Sequence, residues 1–511
     1  VAAEHPDAPP VATAVRGPGR SSAVPTVPLR LVEELCSRLR DTGVSYCHWK
    51  STDMLHLSAS GVNDLDLLVD RRHLPAFLGV LAACGFKQAR PRRGRQVPGV
   101  VHYYGLDART GTLVHVDAQA QLVLGDDTTK SVRLPIEQAY LASCTQGPLF
   151  PVPAPVFELA VLVVRLALKH ATWDAAAFGL APLRPAERRE LQYLSARVDD
   201  EVLRRVVEVH LPWIGWGDWS RYHRALLDGA PLRACLPAGR AVVRGVGDLM
   251  RRRPAVDTAL RCGRRVEWGV RHYVLGQRNT KRLVAGGSVV AVVGGDGAGK
   301  STLTNGLAGW LGGAFDTRVV HMGKPPRGPA NLVVKGALTA ARRAGLLPGW
   351  LPNYPTPAEH RGRFPGHAWL LWQLVTATDR RRQHRRVRSL AGRGVLVVCD
   401  RFPVDQVTRM DGPRTRWVPT EGVPALARRL VRAEQRAYAA IAPPDLLVVL
   451  RVDPDTAVAR KLGVDPAEFV RPRSAEVFAA DWHATGAVVL DAARPADDVL
   501  AQARSAVWAN L

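Results

Sequence analysis

The chain has 511 residues, 47% of them hydrophobic, and a formal charge of +24; that length corresponds to about two to four domains, and the apolar content can supply more than one core. Seven cysteines (Cys36, Cys47, Cys84, Cys144, Cys235, Cys262 and Cys399) include no C-x-x-C pair, which excludes the spacing of a zinc ribbon and gives no sign of a disulfide framework, and no apolar run approaches the ~20 residues of a membrane span. The positive charge, mostly arginine, is compatible with nucleic acid, an anionic membrane face or phosphate-rich small substrates, and by itself selects none of them.

Residues 1–27 are rich in Pro, Ala and Gly and read as a disordered tail; they lack the charged-then-apolar pattern of a secretory signal, so a cytoplasmic location is expected. Next, LRLVEELCSRL (Leu29–Leu39) has helical apolar spacing, and VSYCHWKS reads as a strand ending in Lys50 and Ser51. Asp64 and Asp66 follow in GVNDLDLLVD, a strand running into a helix. Strand residues two apart face one side, so both carboxylates could hold the same pair of Mg²⁺ ions. Asp117, in LVHVDAQAQL, is a third acid on a later alternating strand. Over 28–150 these residues resemble the nucleotidyltransferase superfamily that includes DNA polymerase β, with its Gly-Ser turn, its D-x-D and its third carboxylate on a neighbouring strand. Lys50-Ser51 stands where the Gly-Ser would be. The resemblance implies an α+β domain with Mg²⁺ at Asp64, Asp66 and Asp117. His48, His102 and His115 show no ligand spacing and receive no role.

Residues 151–236 carry apolar residues at three- and four-residue spacing and predict a helical subdomain; Glu158, Arg165 and Lys169 interrupt its richest helix, near Pro155 to His170. The tryptophans of WIGWGDW read as a core or interface cluster. Between Arg240 and Arg282 arginine dominates, opposed only by Asp248, Asp257 and Glu267, and residues 237–285 read as a solvated basic helical linker. A nucleic-acid surface is the less favoured reading of that stretch.

The strand SVVAVVG leads into Gly294-Gly295-Asp296-Gly297-Ala298-Gly299-Lys300-Ser301-Thr302, a match to G-x-x-x-x-G-K-[ST]. Glycines let successive backbone N–H groups turn toward phosphate oxygens, and the helix behind them adds partial positive charge. Lys300 can reach the β- and γ-phosphates, and the Ser301 hydroxyl can ligate Mg²⁺. ATP and Mg²⁺ are therefore the expected cofactors. FDTRVVHMG reads as the next strand, followed by Lys324; residues 325–365, rich in Pro, Gly and Arg, read as mobile substrate-binding loops. A helix carrying Asp379 and Arg380 then leads to VLVVC, a buried strand with Asp400 at its carboxyl end, placed to hold the water shell of Mg²⁺ across from Ser301.

Together GGDGAGKST, the helix with DR and then QH, the strand ending in DRF, and PPDLLVVLRVDPDTAVARK resemble the thymidylate kinase family over 286–511. The resemblance implies a parallel α/β domain that transfers phosphate from ATP to a small-molecule acceptor. It further implies that Asp296 faces the acceptor, that Arg401 clamps the acceptor phosphate beside Phe402, and that Arg380 approaches its base. A lid from Arg460 to Arg473 would offer Arg460, Lys461, Arg471 and Arg473 to the transferring phosphoryl group. Three features depart from the family: Gly323-Lys324-Pro325 in place of R-E-P, PVDQVTRMDGPR after the DRF in place of a Ser and an Ala-Tyr-Gln, and a long insertion from Pro326 to Tyr354. A nucleotide, a sugar or a polyol phosphate precursor is each a candidate acceptor. Two other readings stay open: nucleotidyl transfer by the N-terminal domain with the loop regulatory, and an NTP-binding protein associated with nucleic acid. A homo-oligomer is equally open.

Overall fold

The computed structural model describes residues 27–92, 96–172, 174–175, 183–276, 280–344, 366–416, 418 and 421–511. Its contacts divide the chain into two units, one ending at Asn279 and the other beginning at Thr280.

In the first unit the helix α1 (Arg30–Asp41) buries Leu31, Val32, Leu35, Cys36 and Leu39, the three- and four-residue spacing of a one-sided helix. With α2 (Leu74–Ala83) it covers one face of a mixed sheet. The strands β1 (Tyr46–His48), β2 (Leu65–Val69), β3 (Lys87–Pro91), β4 (Val100–Asp107) and β5 (Thr112–Gln119) run in the order β1-β2-β5-β4-β3. Only the β2–β5 pair is parallel; β1–β2, β4–β5 and β3–β4 are antiparallel. Alternation decides which side chains reach the covered face: Leu65, Leu67 and Val69 of β2 and Val114, Val116 and Ala118 of β5 enter that core, so Asp66, His115 and Asp117 face the other way.

A second core belongs to α3 (Pro155–His170), α4 (Pro185–Ser195), α5 (Asp200–His210), α6 (Trp216–Leu227) and α7 (Leu232–Gly245). Trp219 is fully enclosed there, consistent with the sequence expectation of a core cluster.

The arginine-rich stretch differs from a solvated linker. Its helix α8 (Pro254–Gly269) turns Arg261 and Arg265 inward onto Asp174, which has 0% exposure, at 3.1 and 2.7 Å. Arg265 also meets Asp126 at 2.5 Å, and Arg261 meets Asp257 at 3.6 Å. Asp126 and Asp174 come from far along the chain, so local charge counting could not see them. Breaking a buried pair from one side costs about 3–5 kcal/mol, whereas an exposed pair contributes about 0–1. Asp174→Ala is therefore expected to lower unfolding free energy in urea by about 3 kcal/mol, and Arg271→Ala, which removes the partly exposed pair with Glu267, by less than about 1 kcal/mol.

The second unit is built on a five-stranded, all-parallel sheet. Its strands β6 (Val289–Gly294), β7 (Thr317–His321), β8 (Leu396–Asp400), β9 (Leu446–Arg451) and β10 (Val488–Asp491) run in the order β7-β8-β6-β9-β10. Every residue of β6 is buried, as expected of a parallel strand covered on both faces. The helix α9 (Lys300–Gly312) follows β6 directly and buries Leu303, Leu307 and Leu311. Further along lie α10 (Pro329–Arg343), α11 (His367–Gly392), α12 (Ala425–Ala439), α13 (Pro454–Arg460), α14 (Ala467–Ala479) and α15 (Ala496–Asn510). Among the described residues no helix is long and apolar enough to cross a membrane.

Residues 1–26 of the expected tail and residues 345–365 of the expected substrate loops lie outside the described residues. The described part of that second stretch contains the helix α10 rather than loop alone.

Candidate functional site

The loop from Gly294 to Ser301 leaves β6 at its carboxyl end, where ligands bind in open parallel sheets. Gly297 and Gly299 have φ of +86° and +85°, a left-handed backbone that glycine adopts without strain. Gly295 is required for a different reason, because a Cβ there would stand 2.7 Å from the Cα of Ser474 on α14. Ala298 is buried beneath the loop, while Ser301 and Thr302 are exposed at the start of α9.

Lys300 folds back and donates from Nζ to the Gly295 carbonyl at 2.5 Å. Burial, and then the neighbouring Arg401, lower its pKa from the ordinary 10.5 to about 8, against the opposing pull of Asp296, Asp400 and Asp411. Register sets Val292 of β6 beside Asp400 of β8. The Ser301 hydroxyl donates to Asp400 Oδ2 at 3.3 Å, while Asp400 Oδ1 is buried with no hydrogen-bond partner. A hydroxyl beside a carboxylate with an unsatisfied oxygen is an all-oxygen donor set of the kind Mg²⁺ takes, so these residues fit the metal that the loop implies.

Asp296 is the charge centre of the site. Its carboxylate accepts from Arg401 Nη2 at 2.8 Å and from Arg473 Nη1 at 2.7 Å, with Lys300 Nζ at 3.8 Å. Burial alone would raise its pKa; Arg473, Lys300 and Arg401 together hold it at about 2. Arg401 reaches this position with φ of +66°, an uncommon conformation for a side chain with a Cβ.

The remaining predicted residues separate into those the fold brings here and those it does not. Phe402 is buried in the apolar core with Val397, Cys399, Val407 and Met410. Arg380 is buried and bonds the Tyr438 hydroxyl, the Gly323 carbonyl at 3.2 Å and Asp411 at 3.1 Å. The expected lid is a helix–turn–helix, α13 to α14, in which Arg473 alone of the four named cations pairs with Asp296. Arg471 pairs with Asp455 at 2.6 Å, Arg460 donates to the Ala492 carbonyl at 2.9 Å, and Lys461 pairs with Asp465 at 3.0 Å.

Asp411 was not anticipated. It lies within PVDQVTRMDGPR and bridges Arg401 at 3.5 Å and Arg380 at 3.1 Å. Its only signal in the sequence was its place in a segment that departs from the family. His321, at the end of β7 opposite Asp400, accepts from the backbone N–H groups of Gly323 and Lys324 at 3.1 and 3.2 Å.

In the first unit Asp64, Asp66 and Asp117 do share a sheet face, with Asp66 and Asp117 in register across β2 and β5. Each strand acid already meets a cation or a histidine: Lys50 Nζ lies 2.9 Å from Asp66 and His115 Nδ1 lies 2.9 Å from Asp64. His102 is 3.3 Å from His115 and 3.9 Å from Asp117. Burial, with Asp66 beside it, pushes the Asp117 carboxyl upward. Burial would lower Lys50, but Asp66 and Asp117 outweigh it and raise the ammonium. Among the described residues no group of three or more His, Cys, Asp and Glu side chains is placed to hold a metal ion. Asp64 and Asp66 are thus paired internally, while Asp117 Oδ1 is buried with no hydrogen-bond partner.

Fold and loop together are consistent with a P-loop NTPase for the second unit. The chain is 29% identical over 228 residues to the uncharacterized ATP-binding protein YghR of Escherichia coli, in strain K12 and in strain CFT073, a match covering 43% of this chain and 86% of that protein. It is 26% identical over 242 residues to the uncharacterized ATP-binding protein YghS of Escherichia coli K12, covering 44% of this chain and 93% of the relative. No family model matches the chain.

Two loop glycines provide a test of this geometry. A Cβ at Gly297 would stand 2.5 Å from the Ala457 carbonyl oxygen, whereas a Cβ at Gly299 has open space. Both substitutions by alanine bear the left-handed backbone cost of about 1–2 kcal/mol. Gly297→Ala should therefore lower the thermal unfolding midpoint clearly more than Gly299→Ala.

Proposed function

We propose that the second unit binds ATP and transfers a phosphoryl group to a small-molecule acceptor. The observation that carries this reading is the Ser301 hydroxyl at 3.3 Å from Asp400, beside a carboxylate oxygen left without a partner and at the foot of a glycine loop with a buried lysine. The likeness to two ATP-binding proteins supports the nucleotide.

In this reading the loop amides and the α9 N-terminus hold the donor phosphates, and Lys300 leaves the Gly295 carbonyl for a phosphate oxygen. Ser301 and Asp400 hold Mg²⁺, which neutralises phosphate charge when bound. Arg473 meets the transferring group from α14, and Arg401, already oriented by Asp296 and Asp411, positions the acceptor. Most of the catalysis is then positioning and electrostatic stabilisation.

The acceptor belongs to a class set by Arg380, Asp411 and His321, the side chains around Gly323. Nucleoside monophosphates are the first class to test, with sugar and polyol phosphates next. Lys300→Ala is expected to lower acceptor-dependent ATP consumption by about a hundredfold or more, with the circular dichroism of the fold retained; undiminished turnover would sink the proposal.

A second outcome follows from the Lys300 pKa. Between about 8 and the ordinary 10.5 the ammonium is protonated in an unfolded chain and neutral in the empty site. A triphosphate favours the charged form, so binding should take up a proton, and affinity should fall as pH rises through about 8. Titration calorimetry in two buffers of different ionisation heat measures that proton directly; equal heats at pH 9 would contradict it.

A further inference from the structure

A nucleotidyltransferase site needs two things from its protein: carboxylates converging on divalent cations, and backbone N–H groups on a short turn that accept a triphosphate. The first unit contains the residues for both and has paired Asp64, Asp66 and the turn donors internally, with Asp117 Oδ1 left buried and without a hydrogen-bond partner. Lys50 Nζ approaches Asp66 Oδ1 at 2.9 Å on the sheet face that Asp66 shares with Asp117, and His115 Nδ1 approaches Asp64 Oδ1 at 2.9 Å. These are the positions from which a metal ion would have to draw its oxygen ligands.

The turn is filled as well. Ser51 has φ of +56°, which aims its N–H away from the strand and onto Glu190 Oε1 at 2.9 Å. The Thr52 N–H donates to Glu158 Oε1 at 3.1 Å, and the Thr52 hydroxyl donates to Glu158 Oε2 at 2.6 Å. Glu158 and Glu190 are both nearly fully buried. Arg165, the cation nearest this turn on α3, is bound to Glu190 at 2.6 Å. Glu158 and Arg165 are two of the charges that interrupt the apolar run of α3; seven residues apart, they fall on one stripe of the helix and deliver this contact.

We infer that the first unit is an internally neutralised nucleotidyltransferase-like fold, in which Lys50 occupies the place of the metal and Glu158 and Glu190 occupy the place of the phosphates. It neither holds a catalytic metal nor transfers nucleotides. A carboxylate accepting two donors from a turn satisfies them much as a phosphate oxygen pair would, and the half-buried Lys50 ammonium balances the strand acids where a divalent cation otherwise must. This inference concerns a different unit from the proposed kinase site and does not depend on it.

The test is Mn²⁺ binding, followed by electron paramagnetic resonance, on the full chain carrying Asp400→Asn to silence the loop site. Asp66→Asn in that background should leave the Mn²⁺ isotherm unchanged. Lys50→Met should create a site at least about tenfold tighter than any in its parent, and Asp66→Asn should abolish the new site. Mn²⁺ binding that is already present with Lys50 intact and is lost on Asp66→Asn would overturn the inference, as would a folded Lys50→Met chain with no gained site. Should Lys50→Met fail to fold, the Asp66→Asn comparison decides alone. An independent readout is transfer of label from α-phosphate-labelled ATP by the Lys300→Ala chain: none is expected, and transfer abolished by Asp66→Asn overturns the proposal.

Discussion

A buried carboxylate must be paired, and the pairing of Asp296 organises the whole loop region of the second unit. Arg401 comes to it from the end of β8 and Arg473 from α14, while Lys300 approaches from its own helix. Three separate elements are thereby tied to one turn. The Ser474 hydroxyl donates to the Asp296 carbonyl at 3.1 Å, and that close approach of α14 is what leaves no room for a side chain at Gly295. The left-handed backbone at Arg401 is sustained by the same pairing, since only that turn brings its guanidinium between Asp296 and Asp411.

The two segments that depart from the thymidylate kinase pattern meet in space. Gly323 belongs to the segment in place of R-E-P and Asp411 to the segment after the DRF, and Arg380 bonds both. A Cβ at Gly323 would lie 2.5 Å from Arg401 Cδ and 2.9 Å from Asp411 Oδ1. Arg380 and Arg401 are both held there by internal contacts, Arg380 by the Gly323 carbonyl and Asp411 and Arg401 by Asp411.

Each unit holds a buried carboxylate oxygen without a hydrogen-bond partner, Asp400 Oδ1 in the second and Asp117 Oδ1 in the first, but their neighbours differ. In the second, Asp400 keeps an unsatisfied oxygen beside an exposed Ser301, a cost that a ligand would relieve. In the first, Lys50 and His115 approach Asp66 and Asp64 within salt-bridge distance, and Glu158 and Glu190 take the donors of the adjoining turn.

By itself the sequence determined the parts that depend on local pattern. The glycine spacing of 294–299, the β6 run of apolar residues and the three-to-four spacing of α1, α3 and α9 are local demands of backbone conformation and one-sided burial. The α/β class of the second unit and the α+β character of the first were legible for the same reason. Tertiary structure alone decided which charges meet. Asp174 and Asp126 quench the arginines of α8, Glu158 and Glu190 close the Ser51 turn, Phe402 goes to the core, and only Arg473 of the expected lid reaches Asp296. Those partners lie tens to well over a hundred residues apart, and Coulomb energy depends on distance in space and on local burial, neither of which a linear pattern contains.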